Sequence, residues 1–182
     1  MRLHVVLSLL AAVVVAIVIA APAPGASTPG SGSPSCLRGN WVASQGETRR
    51  VMRALVPGGL FKSYGRLYMT FRGGAFQYGS TGLVLESNIG DARLKARSRF
   101  FSLAPYTARA GTLTLRRGET TIEYGPMSGT KDGRTYTVPG PPTRTMPNPG
   151  GSTPYQCRSN TLRVRLPRAA GLNWITLSRG AP

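Results

Sequence analysis

From Leu67 to Tyr78 the side chains alternate with a period of two: Leu67, Met69 and Phe71 point one way, Tyr68 and Thr70 the other, and Phe76 and Tyr78 return after Gly73-Gly74. That pattern fits a half-buried β-hairpin and is incompatible with a helical repeat. Further β-prone runs follow: Leu83 with Leu85, Arg93 to Arg99, Phe100 to Leu103, Tyr106 to Ala110, Thr112 to Arg116, Thr120 to Tyr124, Thr135 to Val138, Tyr155 to Arg158, Leu162 to Leu166 and Leu172 to Arg179. Turn residues separate many of them, notably Asn88-Ile89-Gly90-Asp91, Gly111, Gly118, Asp132-Gly133 and Ser159-Asn160. Short strands at this spacing predict an all-β chain folded as a meandering antiparallel barrel or sandwich. Residues 139–154 contain six prolines; proline cannot donate to a ladder, so they read as one long irregular loop.

One short helix interrupts the pattern, over Gly46 to Val56. Ser44 suits its cap, Glu47 its first turn, and Val51, Leu55 and Val56 form an apolar stripe that Pro57-Gly58-Gly59 ends. Its other face carries Arg49, Arg50 and Arg53. Just ahead stands Cys36-Leu37-Arg38-Gly39-Asn40-Trp41, leading into a first strand through Val42. A tryptophan there suits closing the end of a core while its N–H finds a backbone partner, and Gly39 lets another segment cross closely.

Arg2 and His4 precede an almost unbroken apolar run from Val5 to Ala21, the n-region and h-region of a signal peptide. Small residues in Ala23-Pro24-Gly25 place cleavage there, giving a signal peptide at 1–25, a flexible Ser/Gly/Pro linker at 26–35 and a folded domain at 36–182. An uncleaved anchor is the alternative, although a run of about 17 apolar residues is short for a span. Gly32-Ser33-Pro34-Ser35 is not a lipobox, so Cys36 is not expected to carry lipid. Export implies a secreted or cell-envelope location and makes Cys36 and Cys157 a disulfide, with two buried free thiols as the other possibility. The bridge would close about 120 residues, for which chain entropy gives about 4–5 kcal/mol.

Composition excludes most catalysis. His4 is the only histidine and falls in the signal peptide, so neither a Ser-His-Asp or Cys-His arrangement nor a histidine-ligated metal can be assembled in the mature domain. The six acids, Glu47, Glu86, Asp91, Glu119, Glu123 and Asp132, read as surface groups, and Gly58-Gly59 and Gly73-Gly74 lack the flanks of a phosphate loop. No enzyme, cofactor or metal is expected. The net charge is +17, which favours anionic partners unless the arginines merely dress a solvated surface. Arg93, Lys95, Arg97 and Arg99 alternate with Leu94, Ala96 and Ser98 and would share one strand face beside Phe100 and Phe101. Such a face can serve single-stranded nucleic acid. Export argues instead for an anionic envelope polymer or lipid head groups, and no nucleic acid is expected.

Gly39-Asn40-Trp41 matches the Gly-x-Trp signature, and together with the last strand bearing Trp174 and Arg179 it gives a chain that resembles the lipocalin-like (calycin) group, more closely its small secreted members from high-GC bacteria. The helix-bearing segment at 46–56 and the Tyr155-Gln156-Cys157 strand leading to Thr161-Leu162 add to the likeness. The resemblance implies an antiparallel barrel over residues 36–179, closed at one end by Gly39, Trp41 and Trp174, with Arg179 packed over Trp41 as a cation–π contact. It further implies a non-catalytic binding protein for a small hydrophobic or amphipathic ligand; basic residues near the mouth would favour an anionic head group, and a monomer is expected. Met69, Phe71, Phe76, Tyr78, Leu113, Leu115 and Tyr124 are its candidate lining, part of an inward set that also includes Leu67, Ile122, Leu162, Val164 and Trp174. These side chains either leave a cavity or simply pack together; in the second case the protein reads as an envelope module acting through its Arg-rich face.

Overall fold

The computed structural model describes residues 34–55, 60–166 and 173–181. The expected signal peptide at 1–25, the linker up to residue 33, and Val56 with Pro57-Gly58-Gly59 lie outside the described residues. The helical turn α1 (Pro34–Leu37) already includes the last two residues of that linker. The chain continues through β1 (Gly39–Ala43), α2 (Gln45–Leu55), β2 (Leu60–Tyr64), β3 (Leu67–Arg72), β4 (Ala75–Ser80), β5 (Leu83–Ile89) and β6 (Ala92–Arg109). Then come β7 (Thr112–Leu115), β8 (Gly118–Lys131), β9 (Arg134–Val138), β10 (Arg144–Asn148), β11 (Gly151–Arg158), β12 (Thr161–Arg165) and β13 (Trp174–Arg179).

Eight strands close an antiparallel barrel in the order β6-β4-β3-β1-β13-β12-β11-β7, with β7 returning to β6 at Tyr106 to Arg109. The seam joins the first strand to the last, Trp41 opposite Arg179. One wall of the barrel runs on as an open sheet, β2-β5-β6-β8-β9. Each of its strands continues, or is itself part of, the barrel wall or its flank. β2 leads into β3 and pairs with β5 just as β3 pairs with β4. The step between these halves is built at Gly65, whose φ of +87° suits glycine and where a Cβ would lie 2.6 Å from the Gly82 carbonyl oxygen.

Two expectations about strand length change. The charged run and two of the short runs after it are one strand, the 18-residue β6, held on one edge by β5 then β4 and on the other by β8 then β7. Pro105 is tolerated inside it because Tyr106 N donates to Gly74 O on the β4 side. The missing Pro105 donor therefore faces the other edge, in the interval where β8 has ended at Glu119 and β7 pairing begins at Leu115. The proline-rich segment is likewise not one loop, since β10 and the start of β11 lie in it, leaving only 139–143 and 149–150 irregular. Pro147 sits on β10, which pairs with β8 alone. Tyr155 N donates to Gly111 O, so Pro154 turns its ring nitrogen toward β12, whose ladder starts only at Tyr155.

Inward side chains of the barrel form one core with α1 and α2. Leu37, Trp41, Leu67, Phe71, Ile122 and Leu162 are fully buried. α2 is capped by Ser44, whose Oγ accepts from Glu47 N at 3.1 Å. It buries Val51 and Met52 together with Thr48, whose Oγ1 accepts from Leu67 N at 3.2 Å.

Cys36 and Cys157 form the disulfide, with Cα atoms 6.0 Å apart and a sequence separation of 121. Replacing both cysteines with serine is expected to lower unfolding stability in urea by about 4 kcal/mol. A loss under about 1 kcal/mol would show that the bridge constrains little.

Candidate functional site

Arg179 organises one end of the barrel. Its guanidinium lies 4.5 Å from the Trp41 ring centroid and donates to Ser159 O, Arg38 O and Cys36 O, each at 2.9 Å. Trp41 Nε1 donates to Leu37 O at 2.7 Å. Gly39, at φ +116°, leaves the room this requires, since a Cβ there would come within 3.0 Å of Arg179 Nη1. Indole, guanidinium and disulfide thus occupy the same end.

Trp174 does not join them. Ile175 and Leu177 are fully buried, so alternation along β13 turns Trp174 outward, across from Arg165. There the Arg163 guanidinium sits 5.2 Å from the Trp174 ring centroid, and Arg50 Nη2 donates to Trp174 O. The expected barrel-closing and inward roles of Trp174 are therefore corrected: it is an outer-face residue at the opposite end of β13 from Arg179.

Of the candidate lining, Met69, Phe71, Phe76, Tyr78, Leu113 and Leu115 are buried in the core, and Tyr124 packs against it half-buried. Their rings touch one another: Phe71 to Phe76 at 5.1 Å, Phe71 to Tyr106 at 5.2 Å and Tyr78 to Phe100 at 5.2 Å between centroids. Much of this lining is therefore self-packed. Two polar atoms in it are exceptions, because the Tyr78 and Tyr124 hydroxyls are buried without a hydrogen-bond partner. Burial pushes the Tyr78 hydroxyl well above the usual phenol range. Burial also raises that of Tyr124, while the nearby charge of Arg144 pulls it back. Other polar groups in the same lining are satisfied: Asn148 Nδ2 donates to Ser102 Oγ at 2.8 Å, and Ser80 Oγ accepts from Phe100 N at 3.1 Å.

Arg93, Lys95, Arg97 and Arg99 share the outer face of β6 and are exposed. They are not a bare cationic row. Glu86, only 5 % exposed, accepts from Arg93 at 2.6 Å and lies 3.8 Å from Lys95 Nζ. Glu123 pairs with Arg99. Arg97 alone of the four has no carboxylate partner among the described residues. The same face continues into exposed Phe101 and Leu103. Arg144 was hidden from sequence reasoning, since the proline count assigns its segment no strand face. No group of three or more metal-ligating side chains comes together among the described residues.

The chain matches no known protein-family profile, no curated protein and no solved structure. The eight-stranded antiparallel barrel is compatible with a lipocalin-like one, and the disulfide points to an extracytoplasmic location.

The Glu86 carboxyl is held below its ordinary pKa, first by the Arg93 hydrogen bond and then by the charges of Arg93, Lys95 and Lys62, against an opposing desolvation. A lowered folded-state pKa gives stability that is complete above the ordinary carboxylate value, about 4.3. It is lost as pH falls through the folded-state value. Glu86→Gln is expected to lower the thermal midpoint at pH 7 and to cost progressively less as the pH is taken below 4. An equal difference at both extremes would show that the pairing contributes nothing.

Proposed function

We propose that this is an exported, monomeric, non-catalytic binding protein of the lipocalin-like type, taking a small hydrophobic or amphipathic molecule with an anionic head. The observation that carries the reading is the Tyr78 hydroxyl, buried inside the barrel without a partner. Buried polar groups are almost always bonded, and an unmet one costs about 1–3 kcal/mol. A bound molecule with a polar atom at this point would relieve that penalty. Barrels of eight strands have interiors of a size that holds either their own side chains or one small ligand. The net charge of +17 favours an acidic molecule on approach, and a histidine-free, acid-poor domain supports binding over catalysis.

A second reading is supported by the outer face of β6, where cations beside exposed Phe101 and Leu103 would suit lipid head groups or an anionic polymer. In that case the barrel is a filled scaffold and the cell envelope is the partner.

Solvent extraction of protein purified from the medium or envelope of the expressing host, followed by mass spectrometry, separates the two. The first reading expects a stoichiometric small molecule whose occupancy falls in Tyr78→Phe, while the stripped variant is as stable as the stripped parent or more so. No recovered compound, together with a destabilised Tyr78→Phe, would mean that the hydroxyl already has its partner within the fold, and would favour the envelope.

A further inference from the structure

The face of the sheet that lines the barrel does not stop at the barrel's edge. Even-numbered residues of β6 face inward: Ala104, Ser102, Phe100 and Ser98 are buried, then Ala96 and Leu94 only partly so. Cross-strand partners share a face, so Ala96 stands in a row with Leu85, Met127 and Val138, and Leu94 in a row with Gly129 and Tyr136. Along these rows cover is lost. Leu85 is 7 % exposed, whereas Val138 is 40 % and Tyr136 57 % exposed. Gly129 presents no side chain between its neighbours, and Leu94 leans so far over it that a Cβ there would lie 2.9 Å from Leu94 Cδ2. The result is a shallow apolar ledge continuous with the barrel's lining.

The ledge is bounded by cations. At the barrel side Arg144 is opposite Ile122, two residues from Tyr124 and on the same face. That diagonal places Arg144 and Tyr124 about 7–8 Å apart at the backbone, within reach of two long side chains. Arg144 is exposed and has no carboxylate partner among the described residues, and the Tyr124 hydroxyl is buried with no partner. At the far end Lys131 and Arg134 flank the Asp132-Gly133 turn, with Asp91 in the neighbouring hairpin. No acid stands on this face of the rows between those turns and Arg144, because Glu86 and Glu123 pair with Lys95 and Arg99 on the other face. From the Phe100 row to the Leu94 row is six residues of strand, about 20 Å.

We propose that this ledge binds a single-chain anionic amphiphile, a long-chain carboxylate, with its head between Arg144 and the Tyr124 hydroxyl and its chain lying over Ala96, Met127 and Val138 toward Tyr136. The guanidinium pairs with the carboxylate and the phenol donates to it, which gives the orphaned hydroxyl its bond. The chain covers apolar surface that the fold leaves open. The site lies on β8 and β9, beside the closed eight-strand path, and shares only Tyr124 with the candidate lining, so it goes beyond the reading above and holds even if the barrel is filled by its own side chains.

Fluorescence titration of the purified exported protein with 11-(dansylamino)undecanoic acid tests it. The expected result is saturable binding that Arg144→Glu and Val138→Glu each weaken about tenfold or more. Tyr124→Phe should weaken it several-fold, and the binding that Arg144→Glu removes should persist in Tyr78→Phe, whatever a separate barrel site does. Both charged substitutions fall on exposed side chains, and an unaltered thermal midpoint confirms that they fold. Undiminished binding by Arg144→Glu, or loss of binding on Tyr78→Phe alone, would overturn the proposal, the latter by placing the probe in the barrel. So would binding seen only with phosphatidylglycerol vesicles and never with the monomeric probe.

Discussion

A single guanidinium, that of Arg179, ties together what the chain brings from its two ends. It is the last residue of β13, and it donates to carbonyls of Cys36 and Arg38, 143 and 141 residues earlier, as well as to Ser159 in the β11–β12 turn. Three charge-assisted bonds to backbone and one aromatic face leave it little freedom to reorient. The β1–β13 seam is where a meander of this kind must close, because its first and last strands have no sequence-local reason to pair. Arg179 and the disulfide fix that seam from the same side. One consequence bears on the proposed function: with Trp41 fully buried beneath the guanidinium, that end of the barrel is sealed, and since α2 packs Val51 and Met52 into the core near Leu67 and β13, the sheet beyond the barrel is the surface left to the proposed ligand.

That sheet exists because long strands serve two structures. β6 is barrel wall over its second half and the centre of the open sheet over its first. Where its neighbours pass from one to the other, a step at Gly65 and a register shift between Ala96 and Ser98 let the ladder change direction. Charge follows the same geography. A chain with 23 basic and six acidic residues has few counter-ions to place. Glu86 and Glu123 stand among the β6 cations, and Glu47 accepts from Arg50 and from Thr176 N, joining α2 to β13.

Local chemistry was legible and partner choice was not. The hairpin at Leu67 to Tyr78, the Ser44 cap, the Asp132-Gly133 turn and the pairing of two lone cysteines each follow from residues close together, or from having only one solution. The continuity of β6 does not, because whether a proline ends a strand depends on which edge its missing N–H faces. Pro105 and Pro154 each face a gap in the ladder and Pro147 sits on a strand with one open edge, which the sequence around them does not disclose. The same blindness hid Arg144 by placing it in a loop. For Trp174 the phase decides: the spacing from Trp174 to Arg179 puts the two on opposite faces of a strand, so only one can look inward.

The most direct test of this division between a sealed end and a receptive one is a map of amide chemical shifts while a long-chain carboxylate is titrated into isotope-labelled protein. Shifts should concentrate at Ser98, Tyr124, Met127 and Val138 and spare Gly39, Asn160 and Arg179. Shifts centred on Trp41 and Arg179 would contradict it, because the end described as closed would then be the one that opens.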